Sequence, residues 1–459
     1  MHAIRFALLA LFVATAVFAA APGEDRALAW VRAFNEGGEA FETFAAANYT
    51  PEALARRTKE ERRSLYERLS SAHGKLEVLG VTADHGTLGL KVKAAKGGTL
   101  SLRFEIEPKP PHRIANLGIE MGGRETRTNL PPLVLEEGSN PSTTLDAYVR
   151  QLAEADRFAG TILVARNGEP LFERAYGMAS RRYGVPNKTS TRFNVGSITK
   201  DFTRTAIAQL AQAGKLKLTD TIATHLPNYP NQEVAKKITI EQLLQHRSGL
   251  GDVFTPRFSG VAKSGFQRPK DFIDFFASDP LHFEPGQGQR YSNYGYTVLG
   301  AIIEAIAKQD YFDYVQKNVF DTAAMSGSGF FDLELPIADI AMGHTKRLGN
   351  GQEGTEWRET MARRYSTRGI PAGGSYSNVR DLLAFDRAIR GGRLLDETWT
   401  RWYFGGDPKG PAVYAGGSPG VNAVVASDAT WTVVVLANID PGLPEELGEH
   451  IFNALTRGR

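Results

Sequence analysis

The stretch NVGSITKDFT, residues 194–203, sets a serine three positions ahead of a lysine where an amphipathic pattern begins. Residues three apart share a helix face, so Ser197 and Lys200 stack one turn apart. A serine hydroxyl is a weak nucleophile until a base sits against it. A chain of this size contains about one Ser-x-x-Lys by chance, so context must decide. Phe202, Ile207 and Leu210 continue an apolar stripe and Gly214 closes it, which predicts a helix. The serine then falls at a helix N-terminus, where free amides and the dipole favour negative charge.

Two further stretches belong with it. PGQGQRYSNYGYTVLGAIIEAIA, 285–307, is a glycine-rich loop leading to Tyr291, Ser292 and Asn293 before another amphipathic helix. Tyr291 and Asn293, two apart in extended backbone, point the same way and can both meet Ser197; read alone, they form a helix N-cap region with a packing tyrosine. YAGGSPGVNAVV, 414–425, contains a decoy, since Gly416 to Gly420 spell Gly-Gly-Ser-Pro-Gly, the pattern of a nucleophile elbow. That elbow needs an N–H on the residue after its serine and a helix beyond. Pro419 has no N–H, and a strand pattern follows.

Together the three stretches resemble the serine β-lactamase and penicillin-binding-protein superfamily, with class C type β-lactamases, D-stereospecific peptidases and related esterases as nearest kin. GSITK and YSN match its first two motifs. LLQHRSGL (243–250) and PAGGSYSNVRDLLAF (371–385) look like supporting segments. The resemblance covers roughly 144–459. It implies an antiparallel sheet flanked by helices, with a helical subdomain, and a hydrolase that forms an acyl-serine without a cofactor. It makes Ser197 the nucleophile, Lys200 or Tyr291 the acceptor of its proton, and Tyr291 the residue that activates the deacylating water. Asn293 orients substrate and Lys200, and the backbone N–H groups of Ser197 and Gly417 hold the oxyanion. His246 is given a structural role.

One position departs from the family. Its third motif often begins with lysine or histidine; here Tyr414 precedes Ala415 and Gly416. The cation that would greet a β-lactam carboxylate is missing, so efficient β-lactamase activity is not expected. If Tyr414 faces the acyl pocket, its ring favours neutral acyl groups. Phe254, Phe258 and Phe266 either extend that wall or fill a core beneath the loop. Substrates are then small esters, amides or D-amino-acid peptides, cell-wall-derived ones among them. A slowly acylated envelope sensor is the alternative.

The rest of the chain sets the frame. Its 459 residues, 42% apolar and 23% charged, exceed one ordinary domain. A net charge of +3 from balanced signs gives no reason to expect nucleic acid as a partner. There is no cysteine, which excludes disulfides, thiol catalysis and thiolate metal sites, and the nine histidines lack metal-binding spacing, so no metal is expected.

Arg5 and the apolar run Phe6–Phe18 read as a signal peptide cut after Ala19, leaving no membrane span and placing the protein in the periplasm or outside the cell. Residues 22–122 read as a small separate α+β domain. Leu28, Val31 and Phe34 mark one helix, and Thr50-Pro51 opens a long charged one ending near Gly74. Two alternating strands follow around KGG, and no convergent catalytic set is found; His85 and His112 read as surface residues. Residues 123–143 read as a linker poor in apolar contacts. In 144–459, hairpins are predicted at Asn167-Gly168 and within 422–438, with a closing helix over 443–455. Strands at both ends around a helical middle predict one antiparallel sheet built from distant segments.

Overall fold

The computed structural model describes residues 23–456, apart from 56–57, 85–86, 97–98, 108, 122–129, 136–140, 349–352 and 361–365. The expected signal peptide and His85 lie outside the described residues. The chain divides into two compact units, Met1–Asn129 and Leu130–Arg459.

In the first unit, helices α1 (Glu24–Glu36) and α2 (Gly38–Asn48) are followed by α3 (Pro51–Ala55) and α4 (Lys59–His73). The expected long helix is therefore two. Thr50 does cap α3, accepting from Ala53 N–H at 3.1 Å. Thr58, a residue that favours helix starts over interiors, directly precedes α4. Strands β1 (Leu76–Asp84), β2 (Thr87–Ala94), β3 (Thr99–Ile106) and β4 (Ile114–Met121) form an antiparallel meander. Leu88, Leu90 and Val92 lie opposite Phe104, Leu102 and Leu100, all buried, as the alternation predicts. Trp30 of α1 packs into this core, stacked on Phe34 and edge-on to Phe41 and Phe104.

The second unit opens with an apolar strap, where Leu133 is buried and Tyr148 donates to Pro131 O at 2.7 Å. The strap corrects the reading of 123–143 as a linker poor in apolar contacts: Leu130, Leu133 and Leu135 pack into the second unit. Helix α5 (Ser142–Glu154) leads into β5 (Gly160–Arg166) and β6 (Glu169–Tyr176). These two join at Asn167 (φ 52°) and Gly168 (φ 79°), the left-handed pair a two-residue hairpin requires. Next come α6 (Thr199–Gln212), α7 (Asn293–Ala307) and α8 (Val379–Arg390). Strands β7 (Ala412–Ser418), β8 (Val421–Ser427) and β9 (Trp431–Ala437), then α9 (Leu443–Thr456), close the chain.

The five strands form one antiparallel sheet in the order β7-β8-β9-β5-β6. The pairing of β9 with β5, Val434 opposite Leu163, brings the unit's two ends together. Central strands are buried on both faces and so read as continuous apolar runs. Leu163, Val425 and Val434 face the helical core that holds α6 and α8. Ile162, Val424 and Val435 face α5 and α9. Among the described residues no helix is long and apolar enough to cross a membrane.

Candidate active site

Ser197 sits in a one-turn 3₁₀ segment, Gly196–Ile198, that feeds α6. The segment is pinned from below: Ile198, Phe202 and Ile207 are fully buried, and Phe202 meets Phe320 and Phe385 edge-on. From the side, β7 lies against it. A Cβ built on Gly416 would stand 2.5 Å from Ser197 N and 2.2 Å from Val195 O, and one on Gly196 3.0 Å from Gly417 N. Only glycines allow this approach, and it brings the amides of Ser197 and Gly417 onto neighbouring backbones.

Lys200 follows one turn later and is 6% exposed. Its Nζ lies 2.8 Å from Asn293 Oδ1, 2.5 Å from Ala372 O and 3.3 Å from Ser197 Oγ. The first two oxygens can only accept. A neutral amine therefore gives them its two hydrogens and turns its lone pair toward the serine hydroxyl. Burial drives Lys200 toward that neutral form, down to about 7, against the charges of Asp252 and Asp201.

Tyr291 comes from the loop before α7. Its hydroxyl lies 2.7 Å from Ser197 Oγ, and its ring, half exposed, passes 4.6 Å from Lys200 Nζ. Burial pushes the phenol up to about 12, so it stays protonated at neutral pH. Ser292 is the N-cap of α7, accepting from Gly295 N–H at 2.9 Å. The cap and the convergence of Tyr291 and Asn293 on the first motif thus hold together. Asn293 Nδ2 donates to both carboxylate oxygens of Asp252 at 3.1 Å, which leaves Oδ1 to face Lys200. Asp252 and the Ala372 carbonyl went unnoticed in the sequence, although SGLGD and PAGGSYSN contain them; only folding brings Asp252 to Asn293 of α7 and the carbonyl to Lys200 of α6.

The third motif needs a correction. Tyr414 is 7% exposed; its ring packs against Phe385 and Tyr403, and its hydroxyl has no hydrogen-bond partner among the described residues. The side chain fills the core instead of lining an acyl pocket, because on β7 it shares the inward face with Gly416. Ala415 and Gly417 are more open. Phe258 and Phe266 join a buried cluster with Phe272 and Phe276, while Phe254 is half exposed. Ser418 ends β7 before the turn Pro419-Gly420, with no helix following, as expected for a decoy. Among the described residues no cluster of metal-ligating side chains forms.

Comparison with known proteins shows the family. The family model described as Beta-lactamase matches residues 145–457, so the chain belongs to that family of serine hydrolases. Two curated relatives from Bacillus subtilis are similar: the putative penicillin-binding protein PbpX, 29% identical over 52% of this chain, and penicillin-binding protein 4*, 31% identical over 54%. The aligned parts span 57% and 56% of those relatives, little more than half their length. Among solved structures, a penicillin-binding protein from Bacillus halodurans is 28% identical, covering 67% of this chain and 99% of its own, with a TM-score of 0.58. A D-amino acid amidase from Ochrobactrum anthropi covers 69% and 97% with a TM-score of 0.56; at 21% identity it speaks for the fold alone.

Proposed function

We propose that this chain hydrolyses neutral esters or D-amino-acid peptides and amides through an acyl-enzyme on Ser197. The observation that carries the reading is the placement of Ser197 Oγ between Tyr291 OH at 2.7 Å and Lys200 Nζ at 3.3 Å. Lys200 takes the serine proton as Oγ attacks the carbonyl carbon. The oxyanion rests on the N–H groups of Ser197 and Gly417, where a lost donor costs on the order of a hundredfold. Tyr291, still protonated, supplies the leaving group's proton and recovers one from Lys200. In deacylation, water attacks the acyl carbon while the Lys200–Tyr291 pair takes its proton and passes it to Ser197 Oγ, which leaves as the free hydroxyl when the acyl bond breaks. No step calls for a cofactor.

With Tyr414 turned into the core, position 414 supplies no cation to anchor a substrate carboxylate, which supports neutral substrates. The apolar run at Phe6–Phe18 supports export to the periplasm or beyond. A fluorophosphonate probe and a panel of p-nitrophenyl esters, D-peptides and β-lactams test the reading. Labelling at Ser197 with turnover of a neutral ester is expected. Labelling without turnover makes the protein a slowly acylated sensor, and no labelling at any pH removes the serine chemistry.

A further inference from the structure

The segment LLQHRSGL and the Gly251-Asp252 pair after it are left without a part in the chemistry above. His246 touches the catalytic loop in three ways. Its carbonyl accepts from Arg290 N–H at 2.8 Å, and its Nδ1 accepts from Ser292 N–H at 3.2 Å, one bond on each side of Tyr291. Its ring stands 4.5 Å from the ring of Tyr291 and 5.2 Å from that of Tyr296. Five residues on, Gly251 O accepts from Ser292 Oγ at 2.6 Å. Asp252 Oδ2 then accepts from Asn293 N–H at 3.0 Å, beside the two bonds from Asn293 Nδ2. Every residue from Arg290 to Asn293 is thereby tied to this one short segment.

We infer that the segment from His246 to Asp252 is the positioning element of the active site, His246 fixing Tyr291 and Asp252 fixing Asn293. The role rests on the serine-hydrolase reading and adds two residues to it. His246 does this as a neutral ring: an Nδ1 that accepts leaves the proton on Nε2. Burial and the charge of Lys200 keep it neutral, its pKa lowered to about 4. Its backbone is left-handed, φ 59°, a conformation that asparagine adopts more readily than alanine. Asp252 acts by accepting only. Both its oxygens take hydrogens from Asn293, so the amide cannot turn, and Oδ1 is always the atom Lys200 meets. The same carboxylate favours the charged form of Lys200. The charged and titratable groups around Lys200 are Asp252, Asp201, His246, Tyr291 and Tyr296.

The test is the pH dependence of p-nitrophenyl ester hydrolysis by the full chain. His246→Ala should lower kcat by ten- to a hundredfold, the order expected for a group displaced by about 1 Å, with KM nearly unchanged. His246→Asn, which keeps an acceptor and the backbone conformation, should recover most of that loss. Asp252→Asn should move the acid limb of kcat/KM to lower pH by about one unit, since a stabilising anion next to the amine is gone. A part confined to folding would lower activity without moving the limb. If His246→Ala does not fold, His246→Phe, which keeps the ring face and loses the acceptor, serves in its place. The crystal structure of the variant should also show Tyr291 OH beyond hydrogen-bond distance of Ser197 Oγ. That distance does not depend on turnover, so it tests the inference even if the wild-type chain hydrolyses no ester, an outcome that falls on the proposed function alone. A wild-type kcat in His246→Ala, an unmoved limb in Asp252→Asn, or an unchanged Ser197–Tyr291 distance overturns it.

Discussion

Ser197 Oγ and Tyr291 OH lie 2.7 Å apart across 94 residues of chain. The bond joins the turn before α6 to the loop before α7, and the site's chemistry depends on it. Ser197→Ala should abolish acylation, since no neighbouring group can replace the nucleophile. Tyr291→Phe should reduce kcat by about a hundredfold, the usual range for losing a proton-transfer group. Steady-state hydrolysis of a p-nitrophenyl ester measures both, and a near-normal Tyr291→Phe would leave proton transfer to Lys200 alone.

Lys200 sets the pH profile. The neutral amine is the base, and its pKa is lowered to about 7. Activity should therefore rise with pH through about 7 and fall away below it as the amine takes up a proton. A profile of kcat/KM between pH 5 and 9 should show this single acid limb. A flat profile over that range would rule out Lys200 as the group titrating.

The glycine at 416 is a steric requirement. A methyl there would run into Val195 O and Ser197 N, so Gly416→Ala must push β7 off the nucleophile's turn and misplace the Gly417 amide. A loss of at least about a hundredfold in kcat is expected, by analogy with removal of one oxyanion donor. Retention of wild-type kcat would show that β7 does not hold the oxyanion.

Tyr414 should behave as a core residue. Its hydroxyl is buried without a partner among the described residues, so Tyr414→Phe should leave stability unchanged or slightly raised, because a buried polar group is removed and no bond is lost. Tyr414→Ala should cost about 3–5 kcal/mol, as for other large aromatic truncations. Urea denaturation of the two variants decides this. A Tyr414→Phe chain much less stable than wild type would mean the hydroxyl has a partner in solution.

The strap before α5 sets where the catalytic unit can be cut. A chain beginning at Leu130 keeps Leu133 buried and the Tyr148–Pro131 bond. One beginning at Thr144 loses both, and burial of the one leucine alone is worth about 1.5–3 kcal/mol. The longer chain should melt at the higher temperature and keep ester hydrolysis. Equal melting temperatures for the two would show that the strap contributes nothing to stability.

Local pattern alone carried much of this fold. The alternation of Leu88, Leu90 and Val92 against Leu100, Leu102 and Phe104, the Asn167-Gly168 turn, and the stripe of Phe202, Ile207 and Leu210 each report a periodicity or a backbone preference confined to a few residues. The pairing of serine with lysine was legible for the same reason, since one helical turn separates them. Tertiary structure decided everything that required distant segments to meet. Lys200 is poised because it is buried between Asn293 and the Ala372 carbonyl, and no spacing along the chain encodes that burial. Tyr414 points into the core because β7 presents its inward face there, although its place in the motif suggested a pocket wall. Asp252 becomes a partner of Asn293 only when the loop before it folds against α7. Sequence determines which residues share a local face, and the packed fold determines what each face meets, because desolvation and hydrogen-bond geometry depend on neighbours that arrive from elsewhere in the chain.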